Sequence, residues 1–138
     1  MIERPPRIVT FAHADVTDIG SGRCRARVEL KREPNRSYFG TSEGPCTDEE
    51  RLRSVAQATA NALLQAAAAG ADASGYEIRV TEVGIQQAFG KPTVLVSVAG
   101  SYFNQRRDLL GLCVANPDPA RAAALAVLNA TNRFLGVG

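Results

Sequence analysis
Two stretches with apolar or small residues at helical spacing frame the chain. From Asp48 to Ala69, Leu52, Val55, Ala56, Thr59, Leu63 and Ala66 recur every three or four residues, the stripe of a helix that packs on one side. From Pro119 to Leu135 the texture returns: Ala123-Ala124-Leu125-Ala126-Val127-Leu128-Asn129-Ala130 echoes Val55-Ala56-Gln57-Ala58-Thr59-Ala60-Asn61-Ala62, with Asn61 and Asn129 68 residues apart. Ahead of each helix the period changes to two. Arg23 to Leu30 sends Cys24, Ala26, Val28 and Leu30 to one face and Arg23, Arg25, Arg27 and Glu29 to the other, as a half-buried strand does. Val94, Val96 and Val98 alternate in the same way.

Taken in order, a strand is predicted from Arg7 to Ile19 with a break near Asp15, then a turn at Gly20-Ser21-Gly22. The Arg23–Leu30 strand turns at Glu33-Pro34-Asn35-Arg36 and returns from Tyr38 to Ser42, and Gly44-Pro45 ends it. Thr47-Asp48-Glu49-Glu50 reads as a capping box, and Gly70 closes the first helix. After the linker Ala71 to Gly75 come Tyr76 to Val83, a turn at Phe89-Gly90-Lys91-Pro92, the valine strand, and a last strand from Leu109 to Ala115. Asp118 suits the N-cap of the second helix and Pro119 its first position, with Gly136 as the stop. Ile8 and Ile78, and Gly20 and Gly90, lie 70 apart, and Gly40 and Gly111 lie 71 apart. The fold class is α+β: a duplicated β-β-β-α unit giving two three-stranded antiparallel sheets, each with one helix. The expected arrangement is a single domain, residues 1–138, of two halves at about 7–70 and 76–136, with both alternating faces turned inward. Helices so rich in alanine bury little area apiece, so two halves or two chains are needed to complete a core.

With 138 residues and 45% hydrophobic content, that core needs neither metal nor disulfide. No apolar run is long enough for a bilayer, and MIERPPRIVTF has no signal-peptide pattern, so the expectation is a soluble, cytoplasmic chain without a membrane partner. Three cysteines without C-x-x-C spacing argue against a disulfide framework or zinc site, leaving Cys24, Cys46 and Cys113 as structural thiols. The net charge of +2 implies no polyanionic partner, although residues 1–36 carry +3 and the rest −1.

Several segments resemble a known family. Gly40-Thr41-Ser42-Glu43-Gly44-Pro45 before the first helix is similar to a G-x-G-x-G-P segment. Gly111-Leu112-Cys113-Val114, Asp118 and the helix end Leu128-Asn129-Ala130-Thr131-Asn132-Arg133 are similar to G-x-G-V, an acidic helix start and A-x-x-N-A-x-N-R. These segments and the duplicated unit resemble the C-terminal regulatory domain of 2-isopropylmalate synthase and its citramalate and homocitrate synthase relatives, over about Arg7 to Gly136. The resemblance implies a non-catalytic regulatory and dimerisation module that binds a small amino-acid or keto/hydroxy-acid effector at the two glycine segments. Gly40, Ser42, Gly44, Gly111, Cys113 and Val114 are then the candidate ligand residues. Ser42 and Cys113 stand where the family has glycines, which favours a ligand smaller than leucine. Nothing in the chain resembles the catalytic barrel of those synthases.

Two other readings compete. One is a scaffolding dimerisation domain with no ligand. The less favoured one is a nucleic-acid module using Arg23, Arg25 and Arg27, with Tyr38 and Phe39 as stacking rings; no glycine-rich loop or aromatic signature accompanies those arginines. His13 is the only histidine and no cysteine sits in a catalytic context, so no catalytic residue, metal or cofactor is expected. Asn129, Asn132 and Arg133 read as hydrogen-bonding groups that fix the helix end. A homodimer is expected.

Overall fold
The structure, a computed structural model, describes residues 9–32, 35–68 and 76–131. Its elements run β1 (Val9–Gly20), β2 (Arg23–Arg32), β3 (Arg36–Pro45), α1 (Asp48–Ala68), β4 (Tyr76–Ala88), β5 (Lys91–Tyr102), β6 (Gln105–Val114) and α2 (Pro119–Thr131). The strands form two antiparallel sheets, β1-β2-β3 and β4-β5-β6, so the duplicated α+β unit is present. Gly70, the linker 71–75, Ile8, Asn132, Arg133 and Gly136 lie outside the described residues. No helix among the described residues is long and apolar enough to cross a membrane.

The alternating strands take the expected faces. Cys24, Ala26, Val28 and Leu30 are buried on β2, as are Val94, Val96 and Val98 on β5, while Arg23, Arg25 and Arg27 are exposed. Strand bounds differ from the sequence reading where register overrides side-chain type. β3 extends to Pro45 because each residue from Arg36 onward has a partner on β2. β6 starts at Gln105, four polar residues before the predicted start, because it pairs with Tyr102 across a two-residue turn. β1 runs through Asp15 unbroken, and its two irregularities lie between Phe11 and His13 and, next to the turn, between Asp18 and Gly20. The turns at Ser21-Gly22 and Phe89-Gly90 have both central residues at positive φ, the two-residue hairpin that follows strand twist. Gly22 is therefore the counterpart of Gly90, and the sequence match of Gly20 with Gly90 was two residues out of register.

The helices show how the halves join. α1 packs on β2 and β3 of its own sheet and on β4 of the other; α2 packs on β5 and β6 and reaches β1, and the helices also touch each other. Both helices lie between the two sheets. This explains why their buried positions run nearly all round, including the consecutive Ala122, Ala123 and Ala124. One apolar cluster draws on both halves. Each helix meets the other half's first strand beside a bulge. At the irregularity between Val80 and Glu82, Val80 N–H donates to Gln57 Oε1 (3.1 Å) and Arg53 donates to the Thr81 carbonyl (2.9 Å). At the β1 bulge, Arg121, which lies 68 positions after Arg53, sits over the Phe11 ring at 5.8 Å.

Each helix also approaches its own sheet at a glycine. A Cβ on Gly40 would collide with the backbone of Ala58 and Ala62, and one on Gly111 with Ala126 and Ala130. Those helix residues are again 68 apart. Only a strand without a side chain at that point admits the helix backbone so closely. Gly40→Ala and Gly111→Ala are each expected to destabilise by roughly 3 kcal/mol or more, since neither neighbour is a flexible side-chain end. Gly84→Ala, where the added methyl meets nothing within 4 Å, should stay within about 0.5 kcal/mol of the parent. Urea midpoints of the three variants check this.

Candidate functional site
The glycine segments do not come together as one site. Gly40 and Gly44 are buried on β3, Gly40 beneath α1 and Gly44 against the Ser54 hydroxyl, while Ser42 between them is half-buried opposite Ala26. Gly111 lies beneath α2 on the other sheet, Cys113 is half-buried opposite Val94, and Val114 is on the outer face. The space a ligand would need beside Gly40 and Gly111 is filled by helix backbone. Around the helix starts the chain also supplies its own acceptors. The Thr47 hydroxyl accepts from Glu50 N–H (3.3 Å), and Asp118 Oδ1 accepts from Ala120 N–H and Arg121 N–H (3.1 and 3.3 Å). The bend after Gly40 is tied to α1 as well, with Asn61 Nδ2 donating to the Thr41 carbonyl at 2.8 Å. Asn129 is exposed.

The cysteine expectation is corrected. Cys24 and Cys46 form a disulfide, with Cα atoms 5.2 Å apart, and Cys113 alone is free. Spacing in sequence could not show this. The bond depends on the β2–β3 register, which pairs Cys24 with Gly44 and sets Cys46 just beyond the strand, where its N–H donates to the Gly22 carbonyl (3.1 Å). The second sheet is also closed by a backbone bond at this end, Ala115 N–H to the Pro92 carbonyl (2.7 Å), and it has no disulfide there.

The sheets differ most on the faces turned away from the helices. On the first, Arg25 pairs with Glu43 (2.8 Å), Ser37 donates to Glu29 (3.0 Å), and Arg27 lies over the Phe39 ring at 4.5 Å. His13 pairs with Asp15 (3.2 Å). Arg23, Arg25 and Arg27 do share this face, but Arg25 is paired with Glu43 and Arg27 already lies over the nearest ring, Phe39. No group of His, Cys, Asp or Glu among the described residues is placed to hold a metal ion.

On the second sheet the same face is apolar at one end. Leu95 pairs across strands with Leu112, Ser97 with Leu110 and Thr93 with Val114. Leu110 is 78% exposed and Leu112 59%. In the sequence these residues stand outside the pattern set by the valines of β5 and Gly111, which mark the other parity as the core face. The signal was present in Leu109 to Val114, which is apolar at both parities. An open cleft of ≈510 Å³ is lined by Leu95, Leu110, Gly84 and Glu82 together with Glu49 and Arg53 of α1. A second, of ≈450 Å³, lies at the charged end of the sheet.

No family model and no curated protein matches this sequence.

Reduction of the Cys24–Cys46 bond, or Cys24→Ala with Cys46→Ala, is expected to cost about 3 kcal/mol, the loop-closure entropy of a cross-link over 22 residues. Denaturant unfolding with and without a phosphine reductant measures it, and Cys113→Ala should leave the difference unchanged.

Proposed function
We propose that this chain is a non-catalytic association module that joins a second copy of itself through the outer face of its second sheet. The observation that carries the reading is the contrast between two equivalent faces of one duplicated unit. One is covered with paired charges; the other presents Leu95, Leu110, Leu112 and Val114 to solvent. These side chains adjoin one another across β5 and β6 as one exposed apolar patch, the kind of surface that marks a contact site on a soluble chain. A standard interface takes about 800 Å² per partner, so the polar rim of the sheet joins the patch in the contact. A second copy is the partner favoured because only one of the two faces is apolar. Like faces stacked across a twofold close the assembly at two and leave charged surfaces outward.

The hairpin tip just beyond Val114 adds to this reading. Phe89 is fully exposed and holds a φ of 53° in a position where Asn or Gly sits without strain. A ring kept there at some backbone cost, with nothing in its own chain to cover it, supports a role in contact with another surface.

The resemblance to synthase regulatory domains agrees with a dimerising module, but its effector at the glycine segments finds no support in their geometry. A cytoplasmic setting would hold Cys24 and Cys46 as thiols, whereas an oxidising one would keep their bond. The test is size. Light scattering on the wild-type chain at tens of micromolar should give twice the chain mass. Leu110→Glu or Leu112→Glu should weaken association at least about 100-fold, because the buried charge enters twice across the axis. Arg25→Glu, on the other sheet, should leave the dimer intact. A wild-type monomer at that concentration would overturn the proposal.

A further inference from the structure
We infer that the charged end of the second sheet binds a small anion carrying two oxyanion groups, held between Arg79 and Arg106. The register places six side chains in two rows on this face: Glu77, Ser101 and Arg106 in one, Arg79, Ala99 and Asp108 in the next. The central strand contributes only Ala99 and Ser101, so the floor is low. The two arginines stand at diagonal corners, with Cα atoms roughly 12 Å apart from strand spacing and rise. Both line the ≈450 Å³ cleft, along with Glu77, Gly100 and, from α1, Leu64. That volume lies in the small-ligand range.

Six of the eleven arginines among the described residues are engaged by neighbours. Arg25 holds Glu43, Arg27 covers Phe39, Arg32 donates to the Ala66 carbonyl, Arg51 to the Cys46 carbonyl, Arg53 to the Thr81 carbonyl, and Arg121 lies over Phe11. Among the described residues, Arg79 and Arg106 have no hydrogen-bond or ion-pair partner, and they are the two that share one cleft. Two guanidiniums bracketing a low floor suit one ligand with an oxyanion at each end, because each planar fork takes a carboxylate or phosphate by paired N–H bonds. A single small anion reaches one corner only. Glu77 and Asp108 on the same face oppose a bulky polyanion, so the site selects a small dianion with a short spacer, and Glu77 adds an acceptor for a hydroxyl or ammonium on that spacer. This inference rests on different residues from the association reading.

Calorimetric titration of the full chain with succinate, 3-phosphonopropionate and acetate tests it. Either of the first two should bind saturably at one site per chain, and acetate at least ten-fold more weakly. Preference between succinate and 3-phosphonopropionate identifies the oxyanion. Arg79→Gln and Arg106→Gln should each weaken binding ten-fold or more without altering the melting curve, and Arg107→Gln should not weaken it. Binding that persists in the Leu110→Glu chain supports a site within one chain, whatever that variant does to association. Absence of saturable binding by both dianions, an equal loss in Arg107→Gln, or loss in Leu110→Glu would each overturn the inference.

Discussion
The backbone-to-backbone contact at Gly40 and Gly111 is the constraint on which the rest of the molecule depends. Two helices fit between two three-stranded sheets only if each can sink onto its own sheet, and the missing side chains at those points allow it. The alanine content follows. Ala58, Ala62, Ala126 and Ala130 present the narrow helix surface that glycine receives, and the remaining alanines let each helix meet the other half without forcing the layers apart. Little apolar area is buried per residue, but each helix is covered on several sides, so its small side chains all contribute.

Much of this was legible in sequence because it depends on local pattern. Alternation fixed the inward face of β2 and β5, since a slip of one residue would have buried arginine. The repeat of Asn61-Ala62 at Asn129-Ala130 set the helix correspondence that the two glycine contacts follow. Legibility failed where a property depends on neighbours across strands. Cys24 and Cys46 look unrelated until register brings them together. Gly40 and Gly111 pointed in sequence to a ligand or to a simple bend, and not to a helix backbone, because a glycine records that space is needed and not what fills it. The outer leucines were overlooked because an apolar residue on a strand is assigned inward by default, and only placement of both faces reveals Leu110 as exposed.

The two halves have kept one architecture and diverged in chemistry. Both retain the glycine under the helix, the bulge on the first strand and the arginine that reaches it. They differ where the shared fold does not constrain them: one carries a disulfide and the other none, and one outer face is charged where the other is apolar at one end. The features held in common lie between the sheets, and those that differ are the ones that meet the surroundings.

The crossed packing has a consequence for how the chain is made. Residues up to α1 leave the ribosome first, and at that stage the side of α1 destined for β4 has no cover, while the edge of the first sheet still lacks α2. The nascent first half is thus a sheet and a helix with one flank bare, a species prone to non-native pairing. The Cys24–Cys46 bond lies wholly within this earlier half. It ties β2 to the base of α1 using only residues already synthesised, so once oxidised the first half can hold its helix in place while the strands that will complete it are still being translated.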